Sequence, residues 1–412
     1  MRRWPPWWSR WYPLRRGGMV SVFYPAADAA GSARAEYLSP RLLPELRARR
    51  PRNWSATPAP ESRTAPAIPA AAAATDTPPA QIPRHRRREV MVSVFYPAAD
   101  AAGSARAEYL SPRLLPELRA RFGIPVPELL TNSVVDAPAA AGRGYPVVLY
   151  SPGGGMPRVL GTGLAEELAS HGYVVVTVDD TYEAMPGVEF PGGRFVRPAP
   201  VADGAQAAMA QKYVDVRVDD LRFVLDALAR VAAGGDPDAE GRSVPRGLGA
   251  ALDLARVGVV GHSCGGYAAV EALREDRRVA AAVDLDGQLG VGADIGRAAA
   301  DGVDRPVLVM TSAQADRVGD ADVSLDAFWR HGTGWKRQLG MRDSAHYDYT
   351  DVPLLVPDPA RPAAALLIGP IAAARSTALV RTYVLAMFEA FLRGRAQPVL
   401  DRPVDAEIIR QR

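Results

Sequence analysis

From about residue 88 onward, apolar and polar positions alternate between two periods, one suited to strands and one to helices. Val90–Tyr96 has a β-branched residue at every second position from Val90 to Val94 and stops at Pro97, the pattern of a strand in an antiparallel edge region. Tyr145–Ser151 (YPVVLYS) is an unbroken apolar run closed by Pro152 and three glycines, which predicts a buried strand and a tight turn. Val159–Ser170 has helical spacing and stops at His171-Gly172; Tyr173–Asp179 (YVVVTVD) then reads as a second buried strand. A long helix is predicted within Gly204–Ala233, with Val214, Val218, Leu221, Val224, Leu225 and Leu228 on one face. Arg256–Gly261, Cys264–Glu275 and Val279–Leu285 follow as strand, helix and strand. Pro306–Thr311 and Trp335–Gly340 are the last two candidate strands, and Thr377–Leu392 is a terminal helix. Strands alternating with crossover helices imply an α/β protein with a mostly parallel sheet and helices on both faces.

The first part of the chain is different. Met19–Arg49 recurs without a change at Met91–Arg121, and only the second copy runs on into a globular pattern. The first copy enters a tract rich in Pro, Ala and Thr that cannot build a packed core and reads as linker or disorder. Residues 1–84 are therefore expected to be a low-complexity extension without function, and residues 85–412 the catalytic domain.

Charge follows the same division. Residues 1–88 hold 16 arginines against 5 acids, while the remainder holds 33 basic and 41 acidic residues. The part expected to fold is acidic, which removes the compositional case for nucleic-acid binding. The single cysteine, Cys264, excludes an intrachain disulfide framework. No apolar run is long enough to span a membrane, and no signal peptide is readable behind Met1. That slightly favours a cytoplasmic location and leaves secretion open.

The chemistry enters at Gly261-His262-Ser263-Cys264-Gly265, a G-x-S-x-G sequence extended by Gly266. An apolar strand precedes it and a helix-compatible segment follows, the setting in which such a motif forms the nucleophile elbow of an α/β-hydrolase. Ser263 is the candidate nucleophile; the backbone amide of Cys264 is a candidate oxyanion donor, and its thiol is a poor rival to the serine at the apex. A second donor is expected from the glycine loop Ser151–Met156, which no Gly-Lys-Ser/Thr follows, so a phosphate loop is disfavoured.

The fold orders its triad as serine, acid, histidine. Of five histidines, His85 and His171 precede the nucleophile and His262 lies inside the elbow. His331 ends a predicted helix, whereas His346 sits in a loop after the last strand, where a general base belongs. Asp286 and Asp316 both follow strands and compete for the acid, with Asp284 a third candidate; spacing leaves the choice open.

Taken together, REVMVSVFYPA, PVVLYSPGGG, Val188–Arg194, GHSCGGYAA, VDLDG and SAHYDYTD resemble the platelet-activating-factor acetylhydrolase-like bacterial lipases and esterases of the α/β-hydrolase superfamily. The resemblance implies a Leu-Asp acid after the strand following the nucleophile helix, which lands on Leu285-Asp286, and leaves Asp316 as the alternative. It implies His346 as the base and the amides of Gly154 and Cys264 as the oxyanion hole. Pro152 stands where family members often carry His before the glycines. The expected function is hydrolysis of carboxylic esters, small-molecule or lipid, through an acyl-enzyme on Ser263, with no cofactor and no metal. The rival readings are a catalytically inactive α/β-hydrolase-like binding protein and a peptidase, lactonase or polyesterase using the same triad. Substrate choice is expected to rest on Thr181–Asp203 and Val352–Pro370.

Overall fold

A computed structural model describes residues 89–412 except 100–104, 112, 123–127, 142–143, 200–205, 292–293, 314–322, 357–363 and 366; before residue 89 it describes only Arg2–Arg3 and Gly17–Pro25. The centre is a sheet whose strands are β1 (Glu89–Pro97), β2 (Tyr145–Ser151), β3 (Val174–Asp179), β4 (Leu252–His262), β5 (Val279–Leu285), β6 (Val307–Ser312) and β7 (Lys336–Met341). They lie in the order β1-β3-β2-β4-β5-β6-β7, and Ile408–Arg410 closes the far edge. From β3 to β7 every neighbouring pair is parallel, while β1 runs antiparallel to β3. The mostly parallel α/β sheet expected from the pattern is the one observed.

Four helices divide between the faces. α1 (Thr162–Ser170) and α4 (Ala373–Arg393) cover one, packing Leu164, Leu168, Tyr383 and Phe388 on Val148, Tyr150 and Val260. α2 (Gln206–Ala232) and α3 (Cys264–Glu275) cover the other, packing Val214, Val218, Leu221 and Val270 on Val147, Leu149 and Val259. Successive side chains of a strand point to opposite faces, so a strand buried on both sides must be apolar at every position. That is why YPVVLYS reads as an unbroken run rather than an alternation.

Room for α4 depends on one glycine. A Cβ on Gly258 of β4 would lie 2.4 Å from Cε1 of the fully buried Phe388. Gly258→Ala should therefore cost about 1–3 kcal/mol through overpacking. Thermal unfolding should show the melting temperature lower by about 2–8 °C, and an unchanged transition would mean that the two layers can part freely.

On the other edge, Gly17–Pro25, within the N-terminal extension, pairs antiparallel with β1 and parallel with Leu129–Val135. This part of the extension thus supplies backbone to the sheet; beyond it and Arg2–Arg3, the extension lies outside the described residues. Leu129–Val135 itself was not apparent from the pattern, because Thr131, Asn132 and Ser133 interrupt it. Its polar groups are nevertheless satisfied: Thr131 donates to the Ala107 carbonyl at 2.9 Å, and Glu166 of α1 accepts from the Ser133 amide and hydroxyl at 2.8 Å each.

Candidate active site

Parallel register lines up the ends of three neighbouring strands. Gly261 stands opposite Ser151 on one side and Asp284 on the other, and His262 stands opposite Leu285. The glycine loop after β2, Ser263 after β4 and Asp286 after β5 therefore emerge side by side at the carboxyl edge, where α/β sheets place their sites.

The turn at Ser263 is sharp enough to dictate its neighbours. Ser263 has φ 55° and ψ −123°, a conformation that costs an L-residue about 1–3 kcal/mol. A Cβ on Gly261 would lie 2.1 Å from the Gly265 carbonyl, and one on Gly265 would lie 2.1 Å from that of Ser151. The Ser263 amide donates to the Leu285 carbonyl at 2.8 Å, tying the apex to the strand that carries the acid. The Ser263 hydroxyl does not cap α3 and makes no hydrogen bond among the described residues, so it is available for chemistry.

Asp286 lies beyond the strand end at φ 57°, which breaks the alternation with Asp284. Its amide donates to the Met310 carbonyl at 2.7 Å, and its Oδ1 accepts from the Ser312 amide at 2.5 Å. Its Oδ2 lies 2.7 Å from His346 Nδ1. Burial alone would raise the Asp286 carboxyl, but the hydrogen bond and charge of His346 and the Ser312 amide outweigh it and hold the group below the ordinary carboxylate range. Asp284 has other surroundings. It is fully buried, accepts from the Gly287 amide at 2.9 Å, and fills the space where Gly266 would carry a Cβ. Asp316 lies outside the described residues.

His346 opens a short 3-10 turn, His346–Tyr349, after β7. Buried Asp348 anchors the turn by accepting from the amides of Ala345 at 2.7 Å and Gly369 at 2.6 Å, and the Tyr349 hydroxyl donates to the Thr311 carbonyl at 2.6 Å. With Nδ1–H donated to Asp286, Nε2 of His346 is left to accept a proton. His262, an elbow residue given no role by the motif, supports the same loop. Its Nε2 lies 2.8 Å from the His346 carbonyl, which can only accept, so the proton is on Nε2. Burial first, then the neighbouring His346, pushes His262 down to about 3, so its ring is neutral.

Two of the site's acid-base groups are thus set outside the mildly acid range, Asp286 below it and His262 well below it. Neither group should therefore titrate in the profile of log(kcat/KM) between about pH 5 and 7. An acid limb with a slope of two in that range would show that one of these two buried groups does titrate there.

The two expected oxyanion amides differ from their neighbours in the loop and the elbow. The Gly155 amide donates to Glu183 Oε1 at 3.0 Å and the Met156 amide to the Gly153 carbonyl at 2.9 Å, whereas the Gly154 and Cys264 amides donate no hydrogen bond among the described residues. The Cys264 thiol is no rival nucleophile, because burial pushes it up to about 12 despite nearby Arg217. Among the described residues no group of His, Cys, Asp and Glu is arranged to hold a metal ion.

An apolar wall stands beside this machinery. Tyr109, Leu114, Leu115, Met156, Leu160 and Leu355 pack together, with Phe195, Tyr347 and Val352 partly buried against them. Both segments expected to govern substrate choice reach it: Phe195 lies in the hairpin of Val188–Glu189 with Phe195–Val196, and Val352–Leu355 is a short helix. Farther along the second segment, Val356, Ala364 and Ile368 pack on one another. No helix among the described residues is long and apolar enough to cross a membrane.

Comparison with known proteins agrees with this fold. The family model described as platelet-activating factor acetylhydrolase, isoform II, matches residues 118–361. A probable 1-alkyl-2-acetylglycerophosphocholine esterase of Arthroderma benhamiae is 26% identical over 272 residues, which cover 63% of this chain and 64% of that protein. The platelet-activating factor acetylhydrolase of Cavia porcellus is 22% identical over 231 residues, 52% of this chain and 50% of the relative. The chain thus spans less than two thirds of the length of these curated relatives. Among solved structures, a ferulic acid esterase from Streptomyces cinnamoneus superposes with a TM-score of 0.64 at 36% identity, covering 79% of this chain and 90% of the other.

Proposed function

The chain belongs to the platelet-activating factor acetylhydrolase isoform II family of α/β-hydrolases, and from that premise we propose that it hydrolyses carboxylic esters through an acyl-enzyme on Ser263. The observation that carries the proposal is that Ser263, Asp286 and the glycine loop emerge at adjacent strand ends, with His346 lying 2.7 Å from Asp286.

In the reaction, His346 Nε2 takes the proton of the Ser263 hydroxyl as Oγ attacks the ester carbonyl. The carbonyl oxygen gains the negative charge and is held by the amides of Gly154 and Cys264. Asp286 keeps His346 in the useful tautomer and stabilises the imidazolium. Collapse breaks the ester C–O bond, and the alcohol leaves with the proton from His346. Water, deprotonated by His346, then releases the acid and restores the serine.

The two curated relatives are named for an acetyl ester and the solved structure for a ferulate ester. A compact acyl or aryl-acyl group is the substrate class we infer for this chain. The wall of Met156, Leu160 and Leu355 supports it by supplying apolar contact beside the oxyanion loop.

The test is hydrolysis of p-nitrophenyl acetate, butyrate and palmitate by the full chain, with labelling by a fluorophosphonate probe and mapping of the modified peptide. Acetate and butyrate turnover with the label on Ser263 supports the reading. A folded protein that cleaves none of the three esters and takes no label overturns it.

A further inference from the structure

α2 carries a buried arginine among the apolar residues of its packed face. Arg217 lies between Val214 and Val218 in sequence, and its side chain is 1% exposed. An unpaired buried guanidinium costs several kcal/mol, and a leucine there would pack without that cost. Every hydrogen bond and ion pair described for Arg217 points at one of two segments, the glycine loop after β2 and the turn after β3. It pairs with Asp180 at 2.7 Å and with Glu183 through Nη2–Oε1 at 2.6 Å and Nε–Oε2 at 3.2 Å. Its Nη1 donates to the Pro152 carbonyl at 2.6 Å and the Ser151 hydroxyl at 3.1 Å, and its Nη2 to the Gly153 carbonyl at 3.2 Å.

We propose that Arg217 and Glu183 are positioning residues that set the Gly153–Gly154 peptide so that its amide is aimed at the oxyanion. The inference rests on the hydrolase reading above. Its geometry follows from the planarity of the peptide. In a trans peptide the C=O and the N–H point in opposite directions. Arg217 and the Met156 amide hold the Gly153 carbonyl, so the Gly154 amide faces away from Arg217. Glu183, locked on the same arginine, takes the next amide, that of Gly155. The loop is thereby fixed at the carbonyls of residues 152 and 153 and the amides of 155 and 156, while the Gly154 amide donates no hydrogen bond among the described residues. A charge-assisted bond to the carbonyl also polarises the peptide and strengthens its N–H as a donor. Gly153 admits no side chain on this path, because a Cβ there would lie 2.8 Å from His262 Nδ1.

The experiment compares the full chain with Arg217→Lys and Glu183→Gln on p-nitrophenyl butyrate. It adds inhibition by an alkyl trifluoromethyl ketone and by the matching trifluoromethyl alcohol. Ser263 adds to the ketone carbonyl, its proton goes to His346, and the ketone oxygen becomes an oxyanion; the alcohol forms none. Arg217→Lys keeps one charge but cannot reach all of these acceptors. Its kcat should fall about 10- to 100-fold, part of the about 10²–10³ that a lost oxyanion donor costs. KM should stay within about threefold, since the interaction is made in the transition state. The Ki of the ketone should rise in step with the fall in kcat, while that of the alcohol holds.

Equal weakening of ketone and alcohol, or an unchanged kcat, overturns the inference. If Arg217→Lys does not fold, the same readouts on Glu183→Gln decide, because its amide can still meet Gly155 but has lost the charge that locks Arg217. A wild-type chain without turnover overturns the hydrolase reading and this inference with it. A wild-type chain that is active through Ser263 but indifferent to both substitutions overturns this inference alone.

Discussion

Ser263→Ala should lower kcat on p-nitrophenyl butyrate by about 10⁵–10⁶-fold while leaving the fold intact. The two halves of that expectation come from the same observation. The Ser263 hydroxyl neither caps α3 nor makes a hydrogen bond among the described residues, so removing it breaks no contact. The unusual backbone at φ 55° is imposed by the glycines around it and by the Ser263 amide on Leu285, and alanine meets the same strain as serine. Thermal unfolding of the variant should therefore match wild type within about 2 °C. The residual rate, still above that of water, would come from the oxyanion amides and substrate binding. A variant that keeps more than about 1% of the activity would place the nucleophile elsewhere.

The second large effect is expected from a change of one atom. Asp286→Asn should cost about 10⁴-fold in kcat, because it reverses the tautomer of His346. The Ser312 amide donates to Oδ1 of residue 286, which obliges an asparagine to put its carbonyl oxygen there. Its NH₂ then faces His346 Nδ1 at the 2.7 Å position now held by Oδ2. Nδ1 must accept, the proton moves to Nε2, and the ring cannot take one from serine. Steady-state kinetics of Asp286→Asn beside Asp316→Asn decide the assignment. A loss below about tenfold at position 286 with a collapse at position 316 would transfer the acid to Asp316.

How much of this was legible depended on whether a residue's task shows in its neighbours along the chain. YPVVLYS and the GHSCGG turn are legible because burial on both faces and a turn without room for side chains leave local marks. Leu129–Val135 is not, because its polar residues are satisfied by Ala107 and by Glu166, which is 33 residues from Ser133. Spacing left three aspartates in contention, and the resemblance favoured Asp286. Asp286 lies past the strand end, where it meets a loop 60 residues later. Arg217, Glu183, His262 and Asp348 went unassigned. Only Arg217 left a sequence signal, a cation among the apolar residues Val214, Val218 and Leu221 of one helix face. Reading it required knowing that the glycine loop lies beneath that face.

The state of the single cysteine has a practical consequence. With its thiol pushed up to about 12, only about 10⁻⁴ of Cys264 is thiolate at pH 8, and thiolate is the form that alkylating reagents and oxidants attack. Iodoacetamide, maleimides and glutathione should leave the protein unmodified, and the reaction should be indifferent to the redox poise of its surroundings. The chain is therefore a ready-made background for site-directed labelling. A cysteine placed at Val404, which is 84% exposed, should take up a fluorophore or spin label by itself, with no native thiol to remove first.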